Sequence, residues 1–303
     1  MTQPLPPFPR TLILGLGLLG ASLGLALKKH RLTSRILGVG RPNSPSLQIA
    51  LTRGAIDQPF TDLATVARQL PAEQDGAGPN LIILATPIRQ VPAALKTLAP
   101  ILPPHTHITD VGSTKSQVLQ WAADILPPHV HFVGSHPMAG SEKRGPDAAR
   151  DDLYEGAVCL LCPNEKSPDA TDRIASLWQS LSMRILRTDP ATHDRWVAAI
   201  SHLPHALAFS LVNAAAEDPA CLQAIAGGFI DATRIASSDT DMWTDIFLTN
   251  RPALTAALDQ FIQRLTTLRS AIASADEPAI RTALTAAKKI RDNLPDPRKR
   301  STE

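Results

Sequence analysis

Short apolar runs alternate with helical stretches through residues 1–188 of this 303-residue chain. That alternation predicts an α/β fold built on a doubly wound, largely parallel sheet. Two further observations sharpen it. Gly15-Leu-Gly-Leu-Leu-Gly20 lies where the first strand must turn into a helix, the place such a motif takes in a Rossmann-type domain. From Pro190 onward strand-like runs vanish, and Ala/Leu-rich stretches continue to about Leu294, which predicts an all-helical second domain. The expected domains are therefore 1–188, dinucleotide-binding, and 189–303, helical.

The elements follow in order. Thr11-Leu-Ile-Leu14 reads as the first strand, and Ala21 to Leu27 as the helix after the glycine turn. In the fingerprint Gly15 permits the tight turn, Gly17 lets the backbone approach a pyrophosphate, and Gly20 lets helix and strand pack closely. Leu16, Leu18 and Leu19 complete the loop, and the helix N-terminus supplies amide donors and a positive dipole end for phosphate. Ile36-Leu-Gly-Val39 is the second strand and ends at Gly40-Arg41. No Asp or Glu stands there to take a ribose 2′-hydroxyl; Arg41, with Asn43, Ser44 and Ser46, suits a 2′-phosphate, which favours NADP over NAD. Leu81-Ile-Ile-Leu-Ala85 ends in Thr86-Pro87, with a helix over 90–98. His107-Ile-Thr-Asp-Val111 ends in Gly112-Ser-Thr-Lys115, with a helix to Ile125. Residues 131–133 then lead into Gly134-Ser-His136, and a strand near 182–187 closes the domain. Ligands of open α/β sheets bind at the carboxyl ends of strands, where Ser113 and His136 both fall.

Composition restricts the function. At 44% hydrophobic, 19% charged and net charge +2, the chain carries no nucleic-acid footprint and no acidic tail. The basic cluster at 298–300 reads as a solvated tail. Cys159 and Cys162 form a C-x-x-C inside an apolar run, which reads as a buried strand rather than half of a zinc site. No segment approaches the ~18 apolar residues of a membrane span, and the proline-rich first nine residues lack a signal pattern. A cytoplasmic protein without a membrane partner is expected.

The segment Gly134-Ser-His-Pro-Met-Ala-Gly-Ser-Glu142 holds a histidine between glycines, backed by Pro137 and followed by a carboxylate. A histidine in a turn that glycine tightens and proline stiffens suits proton transfer. In the second domain Ser201-His-Leu-Pro-His205 places two histidines three residues apart around a helix-interrupting proline. They read either as a site or as hydrogen-bonded core residues. Gly227-Gly228 breaks the helical pattern, and Arg234 follows in a largely apolar context. A guanidinium buried there should meet an anion, either a substrate carboxylate or an internal partner such as Asp231 or Asp241. So much apolar helix could complete its core across a symmetric homodimer.

Together, Gly15–Gly20, Asp110-Val-Gly-Ser-Thr-Lys115, Gly134–Glu142, Ser201–His205 and Thr233-Arg-Ile-Ala236 with Met242-Trp243 resemble the prephenate/arogenate (cyclohexadienyl) dehydrogenases of tyrosine biosynthesis. The resemblance runs from about residue 11 to 270. It implies an oxidative decarboxylation of a cyclohexadienol, arogenate or prephenate, with hydride passing to NADP or NAD and no metal. It implies His136 as the base, Ser113 as the residue orienting it, and His205, Ser201 and Arg234 as substrate-binding residues. Glu142, Asp194 and Trp243 match a polar gate, and Trp243 and Gly227 match positions that a partner subunit can contribute. Tyrosine inhibition could act through the same pocket. Ile230 stands where some members carry a lysine, and Asp241 is an added acid; a missing cation and an extra carboxylate would favour the amino group of arogenate. Two other readings stay open: a β-hydroxyacid dehydrogenase-like or imine reductase-like enzyme, for the first of which Lys115 is the available acid/base, and a silent NADP-binding regulator.

Overall fold

The structure, a computed structural model, describes residues 8–69, 81–104, 106–141 and 143–294. Contacts divide the chain into two units: residues 1–197 with 237–250, and residues 198–236 with 251–303.

The first unit is built on β1 (Phe8–Leu14), β2 (Thr33–Val39), β3 (Gln58–Phe60), β4 (Leu81–Leu84), β5 (His107–Asp110), β6 (His131–Pro137), β7 (Val158–Cys162) and β8 (Arg184–Arg187). They form one sheet in the order β3-β2-β1-β4-β5-β6-β7-β8, parallel except where β7 runs antiparallel to β6. Successive strands run outward in both directions from the β1–β4 boundary, where Leu14 pairs with both Val39 and Leu84. That reversal opens the crevice beyond the carboxyl ends in which doubly wound sheets bind ligands.

The central strands are apolar without a break because both faces are covered. Leu12 and Leu14 of β1 and Ile82 and Leu84 of β4 point into one core; Ile13, Leu81 and Ile83 point into the other. One face packs α1 (Leu18–Lys29), α2 (Ser46–Thr52) and, from further along, α6 (Pro168–Ser180); the other packs α3 (Leu63–Gln69), α4 (Val91–Leu98) and α5 (Ser116–Ile125). The sequence reading missed β3 and its flanking helices α2 and α3, because seven-residue helices and a three-residue edge strand carry too little periodicity to detect.

His136 does not sit in a tight turn. It lies within β6, paired with Leu160 of β7, and Pro137 ends the strand opposite Cys159. The antiparallel partner keeps the backbone extended past Gly134. The strand is pinned from behind: Trp178 Nε1 donates to Ser135 Oγ at 2.9 Å, and Ser135 Oγ meets Thr109 Oγ1 at 2.7 Å. Cys159 and Cys162 are buried β7 residues, their thiols pushed up to about 12 by burial.

A helix of 26 residues, Pro190–Ala215, leads out of the sheet domain. It comprises α7 (Pro190–Val197), a π-helical turn at Ala198–His202, and α8 (Leu203–Ala215). Contrary to the sequence reading, it is long and apolar enough, by length and composition, to cross a membrane. Its alanine-rich stretches tolerate interspersed polar residues that a search for one unbroken apolar run passes over. Pro204 has no N–H to donate, and the wider turn preceding it absorbs the disruption. The second unit continues with α9 (Gly227–Thr233), α11 (Arg251–Ala273) and α12 (Glu277–Asp292), the last capped by Asp276 through Ala279 N at 3.0 Å. The intervening α10 (Thr240–Thr249) belongs to the first unit. Ile200, Ile262, Ile272 and Ile290 are each more than half exposed, so this unit presents a broad apolar surface.

Helix α5 has no capping side chain of its own. Asp194, on α7, supplies it: its carboxylate accepts from Lys115 N at 2.8 Å and Ser116 N at 2.9 Å, at the positive end of the α5 dipole. Burial alone would raise this carboxyl, but hydrogen bonds from His193, Ser116 and Lys115 outweigh it and hold it below its ordinary value. Asp194→Ala is expected to destabilise the protein by about 3 kcal/mol, because it leaves buried donors unmet. The depressed native pKa fixes the sign. The contribution is fully present above the unfolded value near 3.9 and is lost as pH falls through the native one, so the difference between wild type and variant in urea unfolding should shrink toward acid.

Candidate active site

At the crevice, the chain leaves β1 through Gly15, whose φ of +92° favours glycine and whose hypothetical Cβ would lie 2.4 Å from Ala85 O. At Gly17 a Cβ would meet nothing within 4 Å: this is open space above the α1 N-terminus, which has neither a capping side chain nor an acid in its first turn. A dinucleotide pyrophosphate fits such a place, since unoccupied amide donors and room for close approach coincide. Leu16 is buried, Leu18 and Leu19 are half-buried, and Gly20 packs its helix against Gly15. Across the crevice Thr86 Oγ1 is buried without a hydrogen-bond partner among the described residues, next to exposed Pro87. A polar ligand would satisfy it. Beyond β2, Arg41, Asn43 and Ser44 with Pro42 and Pro45 line a cavity of about 330 Å³. Arg41 is exposed, and Ser44 Oγ accepts from Ser46 N.

His136 is 8% exposed. Its Nδ1 lies 2.9 Å from Nε2 of His193, whose own Nδ1 lies 2.8 Å from Asp194 Oδ1. An ionised carboxylate only accepts, so His193 Nδ1 carries the proton of that bond. Burial holds His193 below the ordinary histidine value; Asp194 opposes this, and the Lys115 charge reinforces it. Asn250 Nδ2 donates to Asp194 O at 2.9 Å and ties α10 to the same helix. Lys115 is buried beneath this group and paired with Asp110, which also accepts from Gly112 N and Ser135 N. Its ammonium therefore organises the ends of β5 and β6, which leaves it poorly placed as the acid/base of a β-hydroxyacid dehydrogenase-like enzyme.

Ser113 is half-buried on the β5–α5 loop and forms no side-chain hydrogen bond among the described residues. His136 Nδ1 meets instead His193, which the sequence reading missed. The available signal was the adjacent His-Asp pair at the start of an amphipathic helix. Asp194, taken from the resemblance as part of a gate, is an interior anchor, 4% exposed. Trp243 is also buried, its ring 5.6 Å from Phe247. Glu142 lies outside the described residues.

In the second unit, His205 Nδ1 donates to Ser201 O at 2.9 Å across the π-helical turn, and His202 is fully buried. Burial lowers His205, Ser201 O opposes this, and the nearby Arg234 charge lowers it further. Ser201, His205 and Arg234 thus form one neighbourhood. Arg234 is exposed at the end of α9, makes no ion pair among the described residues, and is not the buried guanidinium expected. Gly227 begins α9 and is exposed, as are Ile230 and Asp241.

Residues 23–187 match the family described as "Prephenate dehydrogenase, nucleotide-binding domain", and residues 189–286 match "Prephenate dehydrogenase, dimerization domain". The prephenate dehydrogenase of Bacillus subtilis is 35% identical over 94% of this chain and 76% of its own length. The Aquifex aeolicus prephenate dehydrogenase, solved with hydroxyphenyl propionate and NAD+, superposes with a TM-score of 0.86 at 32% identity, covering 95% of this chain and 98% of that one. The Synechocystis arogenate dehydrogenase gives 0.77 at 29% identity, over 93% and 99%. A sheet domain with a glycine-turn crevice, a buried histidine at its rim and a helical second unit thus coincide with two matching domains in the same order, and the chain belongs to the prephenate dehydrogenase family.

Proposed function

We propose that this protein oxidatively decarboxylates arogenate, prephenate or both, with His136 as the general base and NADP as the favoured hydride acceptor. The observation that carries the reading is His136 itself, a nearly buried imidazole at the rim of the crevice with a defined partner on Nδ1. Nδ1 is engaged, so Nε2 takes the proton of the ring hydroxyl. The dinucleotide, when bound, accepts hydride from the carbon that bears this hydroxyl. Carbon dioxide then leaves, its bonding electrons complete the aromatic ring, and His136 returns the proton to the phenolic oxygen. Aromatisation drives the reaction, so the protein has to supply position and one base.

The dinucleotide would lie over Gly15–Gly20 with Thr86 and Pro87 at its side. What supports NADP is Arg41 with Ser44 at the cavity beyond β2 and the lack of an acid there. The NAD+ in the Aquifex relative points the other way and makes the cofactor a matter for measurement. In this reading Ser113 meets the hydroxyl, Arg234 takes a carboxylate, Ser201 and His205 take the side chain, and Glu142, Trp243 and Gly227 border the pocket. Ile230 and Asp241 favour the amino group of arogenate. Residues to about 188 bind the dinucleotide, and the helical domain beyond pairs in a homodimer. Tyrosine competes at the substrate site, and the enzyme works in the cytoplasm.

His136→Asn is expected to lower kcat by a factor on the order of 10²–10⁴ while dinucleotide binding stays within about twofold. Near wild-type kcat would remove His136 from the chemistry. Initial rates with both substrates crossed against both dinucleotides test the rest. Arg41→Ala should raise KM for NADP roughly tenfold and leave that for NAD within about twofold, as loss of a charge-assisted contact requires. Equal effects on both would overturn the NADP assignment.

A further inference from the structure

We propose that His193 is a positioning residue for His136: it fixes the tautomer of the base and carries the positive charge formed during turnover toward buried Asp194. The proposal rests on His136 being the base. Asp194 accepts from Lys115 N and Ser116 N and, as a carboxylate that can only accept, also takes the Nδ1–H of His193. That leaves Nε2 of His193 as an acceptor. The atom 2.9 Å away, His136 Nδ1, must then be the donor. His136 is thereby held as the Nδ1–H tautomer with its lone pair on Nε2, the form a base must have before reaction. The alternative tautomer would place two lone pairs against each other.

The same contacts provide a path for charge. As the substrate O–H bond breaks and a bond to Nε2 of His136 forms, the Nδ1 proton of His136 can move to Nε2 of His193. His193 becomes an imidazolium that keeps its Nδ1–H on Asp194, and His136 is again neutral. The reverse transfer restores the starting state when the phenolic oxygen is protonated. Among the described residues, the charged and titratable groups facing this pair are Asp194 from α7, Lys115 and Asp110 from the β5 end, and Cys159 from β7, whose thiol is neutral in the working range. Burial and Lys115 oppose the charged form of His193, and Asp194 and Asp110 favour it, so the imidazolium is a transient carrier of the charge.

His193→Asn tests this, because asparagine can still accept from His136 yet cannot take up its proton. The expected result is a fall in kcat on the order of 10–100-fold with both KM values within about twofold. The acidic limb of kcat/KM should move to lower pH by about one unit, since the protonated base loses its support. A variant with wild-type kcat and an unmoved limb overturns the proposal, as does one that loses activity with the limb in place, which a merely structural role would give. Histidine ¹⁵N NMR of the wild-type protein needs no variant that might misfold, beyond His136→Asn to assign the signal. His136 should be protonated on Nδ1, and an Nε2–H tautomer would overturn the proposal. Activity in His136→Asn would instead defeat the base reading, whereas an inactive His136→Asn beside a wild-type-like His193→Asn defeats only the role of His193.

Discussion

The carboxylate of Asp194 receives donors from two directions, and the placement of His136, the proposed base, depends on both. From one side come the first amides of α5, Lys115 N and Ser116 N; from the other comes the imidazole of His193. A helix that lacks its own cap thus takes one from a different helix, and the capping group also faces the site. Helix α5 starts directly after the loop carrying Ser113, so the position of that loop and the tautomer of His193 are set by a single side chain. Asn250 adds α10 to the same anchor through the Asp194 carbonyl.

The cofactor end obeys a different constraint, one of space. Gly15 must have no side chain because the backbone just after β4, at Ala85 and Thr86, occupies the place where one would go, whereas at Gly17 that place is open space. The first is a requirement of folding, and the second leaves the room that the proposed dinucleotide would use, although both glycines come from one motif. Register across β2, β1 and β4 then decides where the opening faces, with Leu14 level with Val39 and with Leu84.

These differences explain what could be read in advance. The glycine loop, the central strands and the helical second half were legible because local spacing encodes them. The segment around His136 was legible as chemistry but misjudged as a turn, since its extended form comes from β7, a strand more than twenty residues further along that pairs with it. For His193 the local signal was only its adjacent Asp194; its significance arises where α7 meets β6. The burial of Asp194 escaped for the same reason, and its apparent place at a gate followed from likeness rather than from surroundings. Arg234 failed in the opposite sense: apolar neighbours in sequence suggested burial, yet on α9 those neighbours lie largely on exposed faces of a unit whose family match is a dimerisation domain.

The buried charges beneath His136 make sense as one set. Lys115 contributes one positive charge; Asp110 and Asp194 contribute two negative ones; the two imidazoles, hydrogen-bonded in the neutral state, contribute none. Among the described residues the group therefore carries one net negative charge, and it would be neutral once His136, as the proposed base, had taken up a proton. In a dry pocket an extra charge is expensive and a neutralised one is not. Burial first, and the Lys115 charge after it, limit how strongly His193 holds a proton, against the pull of Asp194 and Asp110. If His136 is the proposed base, the ion pair of Lys115 with Asp110 would let this buried pocket receive a proton without retaining it.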